Sequence, residues 1–202
     1  KSKIIENSYD SLSGIIWEQQ IIPFDIYLNI DKTYYSSAVF NDFLKKISNS
    51  EKQDHSLLRY NSILTIIGYM IHGYRDLSKM KAIILMDSNL SASPEGGAGK
   101  GLLMQGIKQV RSMVIEDGKN FTFKSRFQFQ QVGPDTRVLF FDDVTKDFNF
   151  EKLFSTITDG IIIERKRENR YMIPPERSPR IVASTNYAIL GEGGSFERRK
   201  IE

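Results

Sequence analysis

The stretch Lys81-Ala82-Ile83-Ile84-Leu85-Met86, continued by Ser93-Pro94-Glu95-Gly96-Gly97-Ala98-Gly99-Lys100-Gly101 into Leu102-Leu103, constrains this chain more than any other. The apolar run has the length of a buried strand, the glycines punctuate it, and the lysine opens a helical pattern. Glycines accept the required φ/ψ and carry no Cβ, so several backbone N–H groups can converge on one anion. The following helix adds its positive end, and Lys100 adds a point charge for the β and γ phosphates of a nucleotide. The predicted nucleotide-binding residues are therefore Glu95, Gly96, Gly97, Ala98, Gly99, Lys100, Gly101 and Leu102. Two positions depart from the G-x-x-x-x-G-K-[ST] pattern: Pro94 replaces the first glycine, and Gly101 replaces the hydroxyl that touches Mg²⁺. A flexible glycine loop without a ligand is the competing reading of this stretch.

Composition bounds what such a loop can serve. A chain of 202 residues, 40% hydrophobic and 26% charged, can bury a sizeable core, and wholesale disorder is not expected. The net charge of +3 permits a nucleic-acid partner without demanding one. The absence of cysteine excludes disulfides, thiolate zinc sites and cysteine nucleophiles, and two histidines, His55 and His72, disfavour a histidine metal cluster. No apolar run reaches membrane-spanning length and Lys1-Ser2-Lys3 is unlike a signal peptide, so the expectation is no membrane and a cytoplasmic location. A start without Met and an end within Arg198-Arg199-Lys200-Ile201-Glu202 suggest an excerpt of a longer protein.

Residues 1–78 read as a mainly helical N-terminal region. Ile15, Ile16, Trp17 and Ile21 form an apolar group, with Trp17 read as core. Val39, Phe40, Phe43, Leu44 and Ile47 have amphipathic spacing, with Ser36 or Ser37 as N-cap, and Ser48–Asp54 reads as a linker. A second helix is predicted from Ser56 through Gly73. Residues 79–202 read as an α/β core with a central, mostly parallel sheet covered on both faces and ligands at the carboxyl ends of its strands. Leu102, Leu103, Ile107, Val110 and Val114 predict one helix ending near Asp117-Gly118, and alternating Phe121, Phe123, Phe127 and Phe129 predict a strand. Arg137 to Phe141 and Arg180 to Thr185 predict buried strands, Phe148 to Ile157 a helix, and Ile161–Ile163 with Tyr171–Ile173 a hairpin around a basic tip.

Four further groups carry chemistry. Asp142 and Asp143 end an apolar strand: one carboxylate suits Mg²⁺, the other can polarise an attacking water, and a plain acidic turn is the alternative. Asn186 ends the next apolar strand and can hold a water or a γ-phosphate oxygen if the two strands are neighbours; Asn is also a common turn residue. Arg198 or Arg199, after Gly191-Glu192-Gly193-Gly194, can reach the γ-phosphate of a neighbouring subunit, or can simply be a solvated charge run. Arg165, Lys166, Arg167 and Arg170 at the hairpin tip can press on the phosphates of a single strand, with Tyr171 for stacking, or can form an ordinary solvated loop.

The order glycine-lysine loop, Phe-Asp-Asp strand, basic hairpin, strand ending in Thr-Asn, then Arg-Arg resembles the superfamily 3 helicase domain. This is the AAA+-related P-loop ATPase of phage- and plasmid-type primase-helicase replication proteins, and the resemblance covers about Lys79 to Glu202. It implies ATP and Mg²⁺ as cofactors, single-stranded DNA as partner, a hexameric ring, and ATP-driven translocation in DNA replication. By position, Lys100 corresponds to the phosphate-binding lysine, Asp142 and Asp143 to the acidic pair, and Asn186 to the sensor. Arg198 or Arg199 corresponds to the finger, and Lys166 with its neighbours to the DNA-contacting hairpin. Two readings compete with a motor: a nucleotide-binding assembly or scaffold module whose Gly101 has removed turnover, and an ATPase that loads another replication protein.

Overall fold

The computed structural model describes residues 7–16, 38–50, 53–87 and 97–202. Glu95, Gly96, Pro94, Trp17, Ile21 and the proposed caps Ser36 and Ser37 lie outside the described residues.

Two helices precede the sheet. Helix α1 spans Val39–Ser48 and follows Ala38, whose side chain offers no cap. Helix α2 spans Gln53–Ile71, so it begins inside the segment predicted to be a linker, with Asp54 in its first turn where the helix dipole favours an acid. The rest of the chain runs β1 (Ala82–Leu85), α3 (Lys100–Lys108), β2 (Met113–Asp117), β3 (Val138–Val144), α4 (Phe154–Thr158), β4 (Ile161–Ile163), β5 (Tyr171–Ile173), β6 (Arg180–Thr185), α5 (Gly194–Glu197) and β7 (Lys200–Ile201). Five strands make one sheet in the order β2-β3-β6-β1-β7, and every recorded pair in it is parallel. Strands β4 and β5 form the predicted antiparallel hairpin, with Ile161 opposite Ile173.

Side chains of the central strands alternate between two cores, as pleating requires. Ala82, Ile84, Leu139, Phe141, Ile181 and Ala183 point to one side, where Phe150, Leu153, Ile157, Ile163 and Phe196 cover them. Ile83, Val138, Phe140 and Val182 point to the other, against Met70 of α2 and Met104 and Ile107 of α3. Phe140 and Phe141 are fully buried, so truncating either ring to Ala costs about 3–5 kcal/mol. Helix α1 lies on α3: Phe40 occupies the space that a Cβ at Gly106 would need.

Three predicted elements differ. The helix expected to run to Asp117 ends at Lys108, and Val114 belongs to β2, paired with Leu139. Helical spacing selected Val110 and Val114, but the consecutive Met113-Val114-Ile115 run is half-buried strand material, and Val110 is left 40% exposed. The alternating phenylalanines form no strand, because the loop diverts backbone N–H groups to its own hydroxyls: Lys124 N to Thr122 Oγ1 at 3.2 Å and Phe127 N to Ser125 Oγ at 3.2 Å. Phe121 instead anchors the loop on Phe141 at a centroid distance of 4.7 Å. The helix expected from Phe148 starts as a 3₁₀ turn over Phe150–Leu153, capped by Asn149, before α4. Among the described residues no helix is long and apolar enough to cross a membrane.

Candidate functional site

The glycine turn delivers Lys100 as the first residue of α3. Gly97 and Gly99 hold φ values of +87° and +88°, a left-handed backbone that glycine adopts without penalty. A Cβ at Gly99 would also meet Phe43 at 3.0 Å and Ile47 at 3.1 Å, so α1 packs against the base of the turn. The first intrahelical bond is Leu103 N to Gly99 O at 2.9 Å, which leaves the N–H groups of Lys100, Gly101 and Leu102 ahead of the helical ladder. These are the donors that an anion at a helix N-terminus uses.

Lys100 Nζ donates to Asn186 Oδ1 and to Asp87 Oδ1, both at 2.7 Å. Asn186 follows β6 and Asp87 lies just beyond β1, and those strands are neighbours. Asn186 Nδ2 reaches on to Asp143 Oδ1 at 3.4 Å. Ser184 Oγ donates to Asp142 Oδ1 at 2.8 Å and accepts from Asp143 N at 2.8 Å. Lysine turn, amide and acid pair therefore form one connected group across the carboxyl ends of β1, β6 and β3.

The backbone at the acid pair is unusual. Pairing of β3 with β6 shifts register between Phe141 and Val144, and Asp143 takes φ +57°, a conformation uncommon for a residue with a side chain. Its carboxylate pairs with Lys119 Nζ at 2.5 Å, which raises the lysine pKa. Lys119 arrives because Asp117 is in register with Asp142 and Gly118 N donates to Asp142 O at 2.7 Å. A Cβ at Gly118 would stand 2.6 Å from that carbonyl, so only glycine allows the approach. Asp87, Ser184 and Lys119 were not singled out in the sequence. Asp87 had the same signal as Asp142, an acid at the end of an apolar strand.

The remaining predicted residues lie elsewhere. Arg199 O accepts from Ala82 N, which puts Arg198 and Arg199 at the amino end of β1, away from Lys100. Arg198 is exposed and donates to Gly194 O; Arg199 donates to Ser195 O, and its guanidinium lies 4.8 Å from the centre of the Phe154 ring. At the hairpin tip Lys166, Arg167 and Arg170 are exposed. Arg165 turns back instead, donating to Gln130 O at 2.8 Å and Val132 O at 3.0 Å, and so ties the hairpin to the phenylalanine loop.

The donor set suits a magnesium nucleotide better than a bare metal. No group of three or more His, Cys, Asp or Glu among the described residues could cage an ion. Mg²⁺ typically takes one or two carboxylates beside phosphate and water, and Asp142 and Asp143 are the carboxylates that could hold it without a hydroxyl at position 101.

No protein-family model and no curated protein matches this chain. Solved structures similar to this chain include the following two. The apo C-terminal region of NrS-1 superposes with a TM-score of 0.52 at 17% identity, over 81% of this chain and 36% of that one. JCV helicase, bound to a small molecule, gives a TM-score of 0.44 at 16% identity, over 82% of this chain and 46% of its own. The first match establishes a shared fold, and this chain spans about a third of that relative's length.

Proposed function

We propose that this chain is the motor part of an ATP-dependent DNA helicase acting in phage, plasmid or mobile-element replication. The single observation that carries the reading is the continuous path Lys100–Asn186–Asp143, with Asp142 joined through Ser184, at the carboxyl ends of three adjacent strands. A triphosphate lying on the N–H groups of Lys100 to Leu102 would exchange Lys100's partners from Asp87 and Asn186 to its own β and γ oxygens. Asn186 is then freed to orient a water or a γ-phosphate oxygen, and one of the acids to accept that water's proton. When held there, Mg²⁺ would supply positive charge against the negative charge that develops on the phosphate. Asp142 and Asp143 are the residues that would hold it.

Arg198 and Arg199 cannot serve the site of their own chain from the amino end of β1, so a finger role requires the next subunit of a ring. The exposed Lys166, Arg167 and Arg170 at the hairpin tip support engagement of single-stranded DNA. ATP turnover measured with and without single-stranded DNA tests the reading: hydrolysis that DNA accelerates is expected. Tight nucleotide binding with no hydrolysis under either condition would replace it with the scaffold reading.

A further inference from the structure

A charged cavity opens at the other end of the sheet. Arg180 begins β6 in register with Val138, and its N–H donates to Arg137 O at 2.8 Å, so both residues mark the amino ends of their strands. With Arg75, Arg111, Arg177 and His72 they line a cavity of about 210 Å³, in which Glu176 is the one acid. Among the described residues none of the five arginines has a carboxylate within ion-pairing distance.

The cations are held by other means. Arg180, 3% exposed, lies over the Tyr69 ring at 3.7 Å and donates from Nη2 to Tyr74 O at 2.7 Å. Among the described residues its Nε is buried without a hydrogen-bond partner. Arg75 donates to Ser178 O. Burial, and then the nearby Arg180, push Arg75 down to about 10; burial and then Arg137 lower Arg111; burial, Arg180 and Arg75 lower His72. Arg75, Arg111, Arg137 and Arg180 oppose one another in a partly dry recess. A fold that keeps uncompensated like charges together carries a cost that an anion would remove.

We propose that this cavity binds a phosphoryl oxyanion, from the backbone of a nucleic-acid strand or from a free polyphosphate. Guanidinium forks match phosphate oxygens in pairs, and several converge here on one small volume. That volume falls below the roughly 300–1,000 Å³ that encloses a drug-sized ligand, so it takes a phosphate group and not a whole nucleotide. A carboxylate from a second copy of the chain is the weaker candidate, because its two oxygens satisfy fewer of these donors.

The test uses a Lys100→Ala background, so that phosphate binding at the lysine turn does not contribute. Tripolyphosphate should raise the melting temperature of this protein, and adding Arg111→Ala with Arg137→Ala should abolish the rise. If nucleic acid is the natural source, the same pair also lowers affinity for a labelled oligothymidylate about ten-fold and reduces the salt slope by roughly 1–2. If free polyphosphate is the source, only the thermal shift is lost. A Lys166→Ala, Arg167→Ala variant should keep the tripolyphosphate shift. The proposal is overturned if the arginine pair leaves both the shift and the oligonucleotide affinity unchanged, or if it alters only self-association in sedimentation. Should that variant fail to fold, the exposed Arg177→Ala and the parent titration decide: no thermal protection of the parent by tripolyphosphate refutes the site.

Discussion

The two ends of the parallel sheet treat charge in opposite ways. At the carboxyl ends the two lysines of the site have anionic or amide partners: Lys100 has Asp87 and Asn186, and Lys119 has Asp143. At the amino ends Arg75, Arg111, Arg137 and Arg180 face one another without an ion pair among the described residues, Arg75 and Arg180 being held by carbonyls and an aromatic ring. A compensated cluster is preformed and must exchange partners to accept a ligand, so its ligand has to be highly charged to win. An uncompensated cluster gains directly from any anion that fits. The sheet is the common cause, because parallel strands align all their starts on one edge and all their ends on the other.

Substitution can break or sharpen that contrast. Asp142→Asn with Asp143→Asn removes the acids from the compensated end, and ATP turnover by the full-length protein should fall by at least about 100-fold, as when a group stabilising a transition state is deleted. Turnover equal to the parent would separate the acid pair from hydrolysis. Asp87→Asn makes the carboxyl end resemble the amino end by leaving Lys100 without its ion pair. ATP then no longer competes with a partly buried carboxylate, and its Kd should drop by roughly five-fold, the equivalent of about 1 kcal/mol. A weaker affinity would instead make Asp87 a positioning residue for the lysine, which the same titration reads.

The carboxyl-end site was largely legible because its residues punctuate apolar runs. Lys100 follows a glycine turn, Asp142 and Asp143 end one strand and Asn186 ends another. Ser184 was hidden because a serine inside a buried strand has no periodic signal, and Lys119 because only the Asp117–Asp142 register brings it near. The arginine cavity was not legible at all: positions 75, 111, 137, 177 and 180 become neighbours only once α2, β2, β3 and β6 are in place. Parallel order of the core could be expected from its apolar runs. The strand β2 could not, since its short apolar run fits helical spacing as well, and the pairing with β3 decided it.

The most direct test of the central claim, that the lysine turn, the amide and the acids meet on one triphosphate, is calorimetric titration of Mg²⁺-ATP into the parent and two variants. Lys100→Ala should weaken binding roughly 10- to 100-fold, the value of one or two charge-assisted contacts. Arg111→Ala with Arg137→Ala should leave the affinity at the parent level. Parental affinity in a folded Lys100→Ala protein would contradict the account.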